Sequence, residues 1–411
     1  MRCYPIILCF FLIGCTGAAS KIEVPLSARH QPSLHNSHFT TDPHLSFETY
    51  IQQTRKMMFA ARTDMIRQDD ARIVEESAPF ELTPSVDCPK GEGKKYRRGI
   101  LLTHGLKGTP YSMRALGQFF QENCFKVMAI LLPGHATRPG DLLEVTWADW
   151  MKAEAFGTDK IASEVETLYL GGFSAGGTTS IYQGLSDPRV KGLFLFSPAI
   201  RISSLASLAI FPKAIHWAMP RAKWADLMPD EDRYQYESFS FNAIRQIDVF
   251  IKKMQSALTK QTVTQPVFMA ISEEDSTVST PASLAFFEQA SNPLNRMIFY
   301  STNRKSFSNK RSQIEIVESV FKNQHIIGSA HTAIILPPDD PHFGRDANPA
   351  ACLRYFNVEP KKYLLCKDKK EDFLGETTDE NLKKGVIRRL MYNPNFDTLK
   401  ISLKRFIDSL D

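Results

Sequence analysis

From Arg98 to Ala290 short apolar runs alternate with runs of helical character. R-G-I-L-L-T-H is followed by S-M-R-A-L-G-Q-F-F, K-V-M-A-I-L-L by T-W-A-D-W-M, and L-Y-L-G-G-F by A-G-G-T-T-S-I-Y; G-L-F-L-F-S and P-V-F-M-A-I-S then lead into P-A-S-L-A-F-F-E-Q-A. Strands that alternate with helices predict an α/β fold with a mostly parallel central sheet, and runs apolar at every position predict that helices flank it on both faces. The chain has 411 residues and 43% hydrophobic content, enough for one large domain with insertions.

One junction stands apart. V-E-T-L-Y-L runs straight into G-G-F-S-A-G-G, which contains the G-x-S-x-G pattern as Gly172-Phe173-Ser174-Ala175-Gly176. A serine on a tight strand-to-helix turn has its Oγ presented at the top of the sheet, and small neighbours are required because side chains there would clash. A hydroxyl becomes a nucleophile only when a base takes its proton and an acid orients the base. In this arrangement the acid and then the histidine follow the serine along the chain. The next strand with an acidic exit, P-V-F-M-A-I-S-E-E-D-S-T-V, offers Glu273, Glu274 and Asp275, and the segment H-I-I-G-S-A-H-T-A offers His331, with His325 before it and His342 beyond. Asp275 and His331 are the expected pair. The oxyanion of an acyl-transfer intermediate needs two backbone donors, expected from Ala175, after the nucleophile, and from Leu106 in the L-L-T-H-G-L-K-G loop. His104 and His135 precede the serine and are read as turn-stabilising.

With these residues in place, I-L-L-T-H-G-L-K-G-T-P-Y-S-M-R-A-L-G, A-I-L-L-P-G-H-A-T-R-P-G-D-L, T-W-A-D-W, G-G-F-S-A-G-G and F-S-P-A-I resemble the bacterial carboxylesterase and monoacylglycerol-lipase branch of the α/β-hydrolase superfamily. The resemblance runs from about residue 78 to 335 and resumes near Asn395 to Leu410. It implies a serine hydrolase of acyl esters that works through an acyl-enzyme without cofactor or metal, with Ser174, Asp275 and His331 as triad. Acyl transfer to another acceptor or thioester cleavage on the same triad are alternatives, as is a non-catalytic envelope lipoprotein that binds a ligand or partner. The chain departs from the family pattern at Ala136, where L-P-G-H-G is often seen, in E-E-D-S-T-V, which lacks a Gly before the acid, and in S-A-H-T where S-G-H-V is common. No Walker, Rossmann or metalloprotease pattern competes.

The ends carry other signals. Met1-Arg2 precedes P-I-I-L-C-F-F-L-I-G-C, too short to cross a hydrocarbon core of ~30 Å as a helix and read as a signal peptide over residues 1–14. Leu12-Ile13-Gly14-Cys15 resembles a lipobox, which implies lipid on Cys15 and anchoring in the bacterial envelope, at the outer membrane; cleavage after Ala18-Ala19-Ser20 and secretion is the alternative. Residues 15–45, rich in Ser, His, Pro and Thr, are expected as a flexible tether, and F-E-T-Y-I-Q-Q-T-R-K-M-M-F-A-A from Phe47 to about Ala61 as an amphipathic helix opening the domain of residues 46–411. Segments of about 200–260 and about 336–392 interrupt the alternation, and are expected as a cap and a second insertion above the carboxyl ends of the strands. Cys88, Cys124, Cys352 and Cys366 form an even set for an oxidising compartment, with three connectivities open. A net charge of +5 spread in short runs does not make a nucleic-acid surface. The expected partners are a small-molecule or lipid ester and, through the anchor, a membrane.

Overall fold

The computed structural model describes residues 24–36, 41–63, 70–93, 95–202, 220–303, 312–346 and 349–411. The signal peptide and Cys15 lie outside the described residues.

Eight strands form one sheet: β1 (Phe80–Leu82), β2 (Tyr96–Thr103), β3 (Lys126–Ile130), β4 (Val165–Phe173), β5 (Val190–Phe196), β6 (Val267–Ser272), β7 (Arg296–Ser301) and β8 (Ile314–Glu318). Their order is β1-β3-β2-β4-β5-β6-β7-β8. Only β1 pairs antiparallel, against β3; the other six pairings are parallel. Successive side chains in a strand point to opposite faces, and here both faces are apolar. Leu193 and Leu195 of β5 belong to one core with Leu101, Leu170, Met269 and Phe299, while Phe194 and Phe196 belong to the other with Ile100, Leu102, Phe268 and Ile298.

Helices cover each face. α1 (Phe47–Ala61), α4 (Trp147–Glu164), α5 (Ala175–Ser186), α6 (Phe241–Leu258) and α7 (Thr280–Gln289) feed the first core. α2 (Asp70–Ser77), α3 (Arg114–Glu122) and α9 (Phe396–Asp408) feed the second. The amphipathic helix expected from Phe47 to Ala61 is present with those bounds, capped by the Ser46 hydroxyl accepting from Thr49 N–H. α6 corrects the expected extent of the cap. Ala243, Ile247, Phe250, Ile251 and Met254 repeat at helical spacing and bury in the first core, with the Phe250 ring stacked on Trp147 at 5.5 Å, so α6 is a layer of the sandwich. What precedes α6 includes the antiparallel pair Trp224–Asp226 and Phe239–Ser240.

The segment expected as a tether is also corrected where it is described. From Val24 to Asn36 several of its groups bond to the domain. Ser33 donates through N–H and Oγ to Asp141 at 2.6 and 2.8 Å, Gly134 N–H donates to Asn36 Oδ1 at 2.9 Å, and the buried His30 lies 3.4 Å from Asp230 and edge-on to Trp224. Polar composition marked it as tether-like, but matched hydrogen bonds lay it down on the domain.

The second insertion holds α8 (Pro360–Lys367) and a two-stranded parallel ladder, Phe373–Gly375 against Ile387–Arg389. Cys352, Tyr355, Phe356, Tyr363 and Cys366 gather with Met228 into a small core of its own. Cys352 bonds to Cys366, and Cys88 to Cys124, which settles the connectivity.

Candidate active site

Because β2, β4 and β6 are parallel, their carboxyl ends lie on one edge, and the loops that follow them meet there. β4 ends at Phe173, and Ser174 turns the chain into α5 with φ 53° and ψ −114°. This is a left-handed conformation for a residue with a Cβ, a strain of order 1–3 kcal/mol that the surroundings must hold. They do so at close range. Ser174 N–H donates to Phe196 O at 2.9 Å, and its carbonyl accepts from Ala199 N–H at 3.0 Å. A Cβ on Gly176 would stand 2.1 Å from Thr103 O, and one on Gly177 2.7 Å from Pro198 Cβ, so the glycines let α5 start in contact with the ends of β2 and β5.

Three side chains from three loops converge. His331 Nδ1–H donates to Asp275 Oδ2 at 2.7 Å, which leaves Nε2 to accept the Ser174 hydroxyl at 3.0 Å. The His331 side chain is 5% exposed and that of Asp275 1%. Phe173 packs against the imidazole with ring centroids 5.0 Å apart. The second carboxylate oxygen of Asp275 accepts the N–H groups of Thr277 and Val278, both at 2.9 Å. Those amides fix which of three consecutive acids faces the histidine. Glu273 accepts from Ser301 Oγ, and Glu274 faces Ser272 Oγ and accepts Thr302 N–H. Of the other two histidines considered, His342 pairs with Asp232 at 3.1 Å, and His325 gives its carbonyl to Leu374 N–H.

The loop after β2 lies against the serine, for a Cβ on Gly105 would stand 3.3 Å from Ser174 Cβ. His104 Nε2 accepts Leu132 N–H at 3.0 Å, so its Nδ1–H donates to Gly105 O at 2.8 Å; Gly108 N–H donates to the same carbonyl at 3.1 Å. With the oxygen of the Gly105–Leu106 peptide held by these two donors, the trans plane turns the Leu106 N–H the other way. Ala175 opens α5, so its N–H is among the first-turn amides that have no acceptor within the helix. Burial, and next the neighbouring His135, push the His104 imidazole well below its ordinary value. It stays neutral and structural, as its place before the serine suggested.

Two features were missed. Glu154 of α4 is fully buried beneath the elbow, accepts Thr103 Oγ1 at 2.7 Å and Thr179 Oγ1 at 3.1 Å, and is pushed up to about 7 by burial against the opposing effect of those hydroxyls. Its signal was legible: a carboxylate on the same helical stripe as Trp150, Gly157 and Ile161. The other is the pair Glu376 and Arg389, in the second insertion, beside His331; nothing in its spacing marks it. Among the described residues no group of His, Cys, Asp or Glu has the geometry of a metal site, and no helix is long and apolar enough to cross a membrane.

A parallel sheet with a serine elbow, and a histidine and an aspartate on later loops, defines the α/β-hydrolase class. A family described as hydrolase 4, serine aminopeptidase S33, matches residues 94–304, just over half of the chain, and the chain belongs to it. The thermostable monoacylglycerol lipase of Bacillus sp. (strain H-257) is 31% identical over 109 residues, 26% of this chain and 44% of that protein, so the match spans less than half of the relative. Solved structures that match include a metagenome-derived lipolytic enzyme, with TM-score 0.46 and 21% identity over 55% of this chain and 87% of that one. Another is the monoacylglycerol lipase of Paleococcus ferrophilus, with TM-score 0.42 and 18% identity over 54% and 88%.

Proposed function

We propose that this chain hydrolyses carboxylic esters of acyl chains through a covalent acyl-enzyme. The carrying observation is the unbroken line from Ser174 Oγ through His331 to Asp275, at 3.0 and 2.7 Å. In this reading His331 Nε2 takes the hydroxyl proton as Ser174 Oγ attacks the ester carbonyl, and the Asp275 carboxylate steadies the imidazolium that forms. The Leu106 and Ala175 amides receive the oxyanion. Collapse of the intermediate expels the alcohol, which takes its proton from His331. Water then repeats the sequence on the acyl-enzyme and frees the acid.

The substrate class follows from likeness and composition. The match to a monoacylglycerol lipase, and an apolar, aromatic sequence between β5 and α6, support monoacylglycerols, lysophospholipids or short- to medium-chain esters. A panel of p-nitrophenyl esters of increasing acyl length, alongside aminoacyl p-nitroanilides, tests this. Ester turnover that vanishes in Ser174→Ala supports the reading, whereas nitroanilide cleavage without ester turnover replaces it with the peptidase activity in the family's description. Transfer to an alcohol acceptor or thioester cleavage would show in the products.

For location we propose the envelope, with lipid on Cys15, on the strength of L-I-G-C after the apolar run. Incorporation of a labelled fatty acid by the full chain, and its loss in Cys15→Ala, tests that proposal; a soluble, unlabelled product would favour secretion.

A further inference from the structure

His331 and Asp275 stand on loops that follow different strands, yet the proposed reaction needs the ring and the carboxylate held in register. A chain of contacts from the second insertion joins them from behind. Glu376 is fully buried, and its Oε2 accepts the backbone N–H of His331 at 3.1 Å. Arg389 forms an ion pair with the same carboxylate, its Nε 2.9 Å from Oε1, and hydrogen-bonds it through Nη2–H, which donates to Oε2 at 3.0 Å. Arg389 Nη2 also donates to Thr277 Oγ1 at 2.9 Å, and Thr277 N–H donates to Asp275 Oδ1 at 2.9 Å. With Asp275 Oδ2 on His331 Nδ1, the contacts close into a ring: His331, Glu376, Arg389, Thr277, Asp275 and back to His331.

The insertion is built to hold this ring. Gly375 pairs with Arg389 at the end of the parallel ladder, and Glu376, the next residue, meets Arg389 there. The ladder is bonded to the segment leading to His331, through Leu374 N–H to His325 O and Ile327 N–H to Leu374 O, both at 2.9 Å. Just after His331, Thr332 Oγ1 donates to Leu390 O at 3.1 Å. Both flanks of the histidine are thus tied to residues of the insertion. A buried ion pair adds little net stability compared with an apolar pair. What this one adds is direction, because Arg389 Nη2 donates both to the carboxylate that receives the His331 amide and to Thr277, and so ties the two loops to one charged group.

We propose that Glu376 and Arg389 are positioning residues for the His331–Asp275 couple, supplied by the insertion; the proposal rests on the hydrolase reading above. The test uses the full chain with p-nitrophenyl ester kinetics and the rate of fluorophosphonate labelling. Glu376→Gln and Arg389→Met are expected to lower kcat and the labelling rate together by about 10- to 100-fold, as misplacement of a reacting group does, with KM within about twofold. Arg389→Lys, which keeps the charge and loses the planar Nη2 that reaches both Glu376 and Thr277, falls between. Thr277→Val leaves the ion pair in place, lowers kcat by a smaller factor, and adds nothing further when combined with Arg389→Met. Should Glu376→Gln fail to fold, the Thr277 and Arg389 variants carry the test. Folded variants with unchanged kcat, a loss confined to KM, or effects of Thr277→Val and Arg389→Met that multiply would overturn the inference. A wild type inert to esters and to the fluorophosphonate removes the hydrolase reading and this inference with it; an active wild type with equally active variants removes this inference alone.

Discussion

A Cβ on Gly172 would lie 2.1 Å from the carbonyl oxygen of Gly176. The last turn of β4 and the first turn of α5 are therefore in backbone contact across Ser174, and neither glycine has room for a methyl group. Gly172→Ala is expected to lose about 3 kcal/mol or more of stability, at the upper end of overpacking effects, read as a lower urea midpoint. Gly108→Ala serves as the control, since a Cβ there would stand 3.7 Å from Gly105 O and from Ser112 Oγ, an ordinary contact distance. Equal midpoints for the two variants would contradict the contact.

Asp275 is singled out from its acidic neighbours by the His331 ring and the amides of Thr277 and Val278. Asp275→Asn keeps the shape but presents the wrong groups to the imidazole, so kcat is expected to fall by about 10⁴-fold. Glu273→Gln and Glu274→Gln should each change kcat by less than about tenfold, since their carboxylates are engaged elsewhere. A larger loss for Glu274→Gln than for Asp275→Asn would reassign the acid.

Glu154 makes stability depend on pH. Its carboxyl rises from 4.5 to about 7 on folding, so between those values the folded chain binds more protons than the unfolded one. Stability contributed in this way is complete at the acid end of that window, declines as pH rises through it, and is missing above about 7, a difference of about 3 kcal/mol. Glu154→Gln should match the wild type near pH 4.5 and exceed it at pH 8. The comparison is of variant minus wild type, because Glu237, also raised to about 7, acts with the same sign. A variant less stable than the wild type at pH 8 would contradict this.

The Cys352–Cys366 bond closes a short loop, with a sequence separation of 14, around the insertion's own small core. A loop of that length corresponds to about 3 kcal/mol in the chain-entropy account. The double variant Cys352→Ser/Cys366→Ser should lose that much and become open to limited proteolysis within residues 349–392 before the sheet unfolds. Cleavage first in the strands would speak against a separately stapled unit.

The strands were legible because a sheet covered on both faces demands apolar residues at consecutive positions, as in Leu193 to Phe196. The elbow was legible because the steric demand at Gly172 and Gly176 is local. Asp275 was harder to single out, since the turn after β6 decides which of three adjacent acids points inward, and amides of later residues set that turn. α6 could have been separated from the cap by the helical spacing of Ala243, Ile247, Phe250, Ile251 and Met254. The docking of His30 and Ser33, and the Glu376–Arg389 pair, left no local trace. Each is a contact between residues distant in sequence, and composition alone made the first look like a tether.

Ser174 is the nucleophile on which the proposed hydrolysis depends. The most direct measurement is labelling of the purified full chain with a fluorophosphonate, followed by mass spectrometry of the peptide that carries G-G-F-S-A-G-G. One adduct is expected on Ser174 Oγ, lost in Ser174→Ala and slowed by orders of magnitude in folded His331→Ala. A folded wild type that takes no label, or an adduct that persists in Ser174→Ala, would contradict that role.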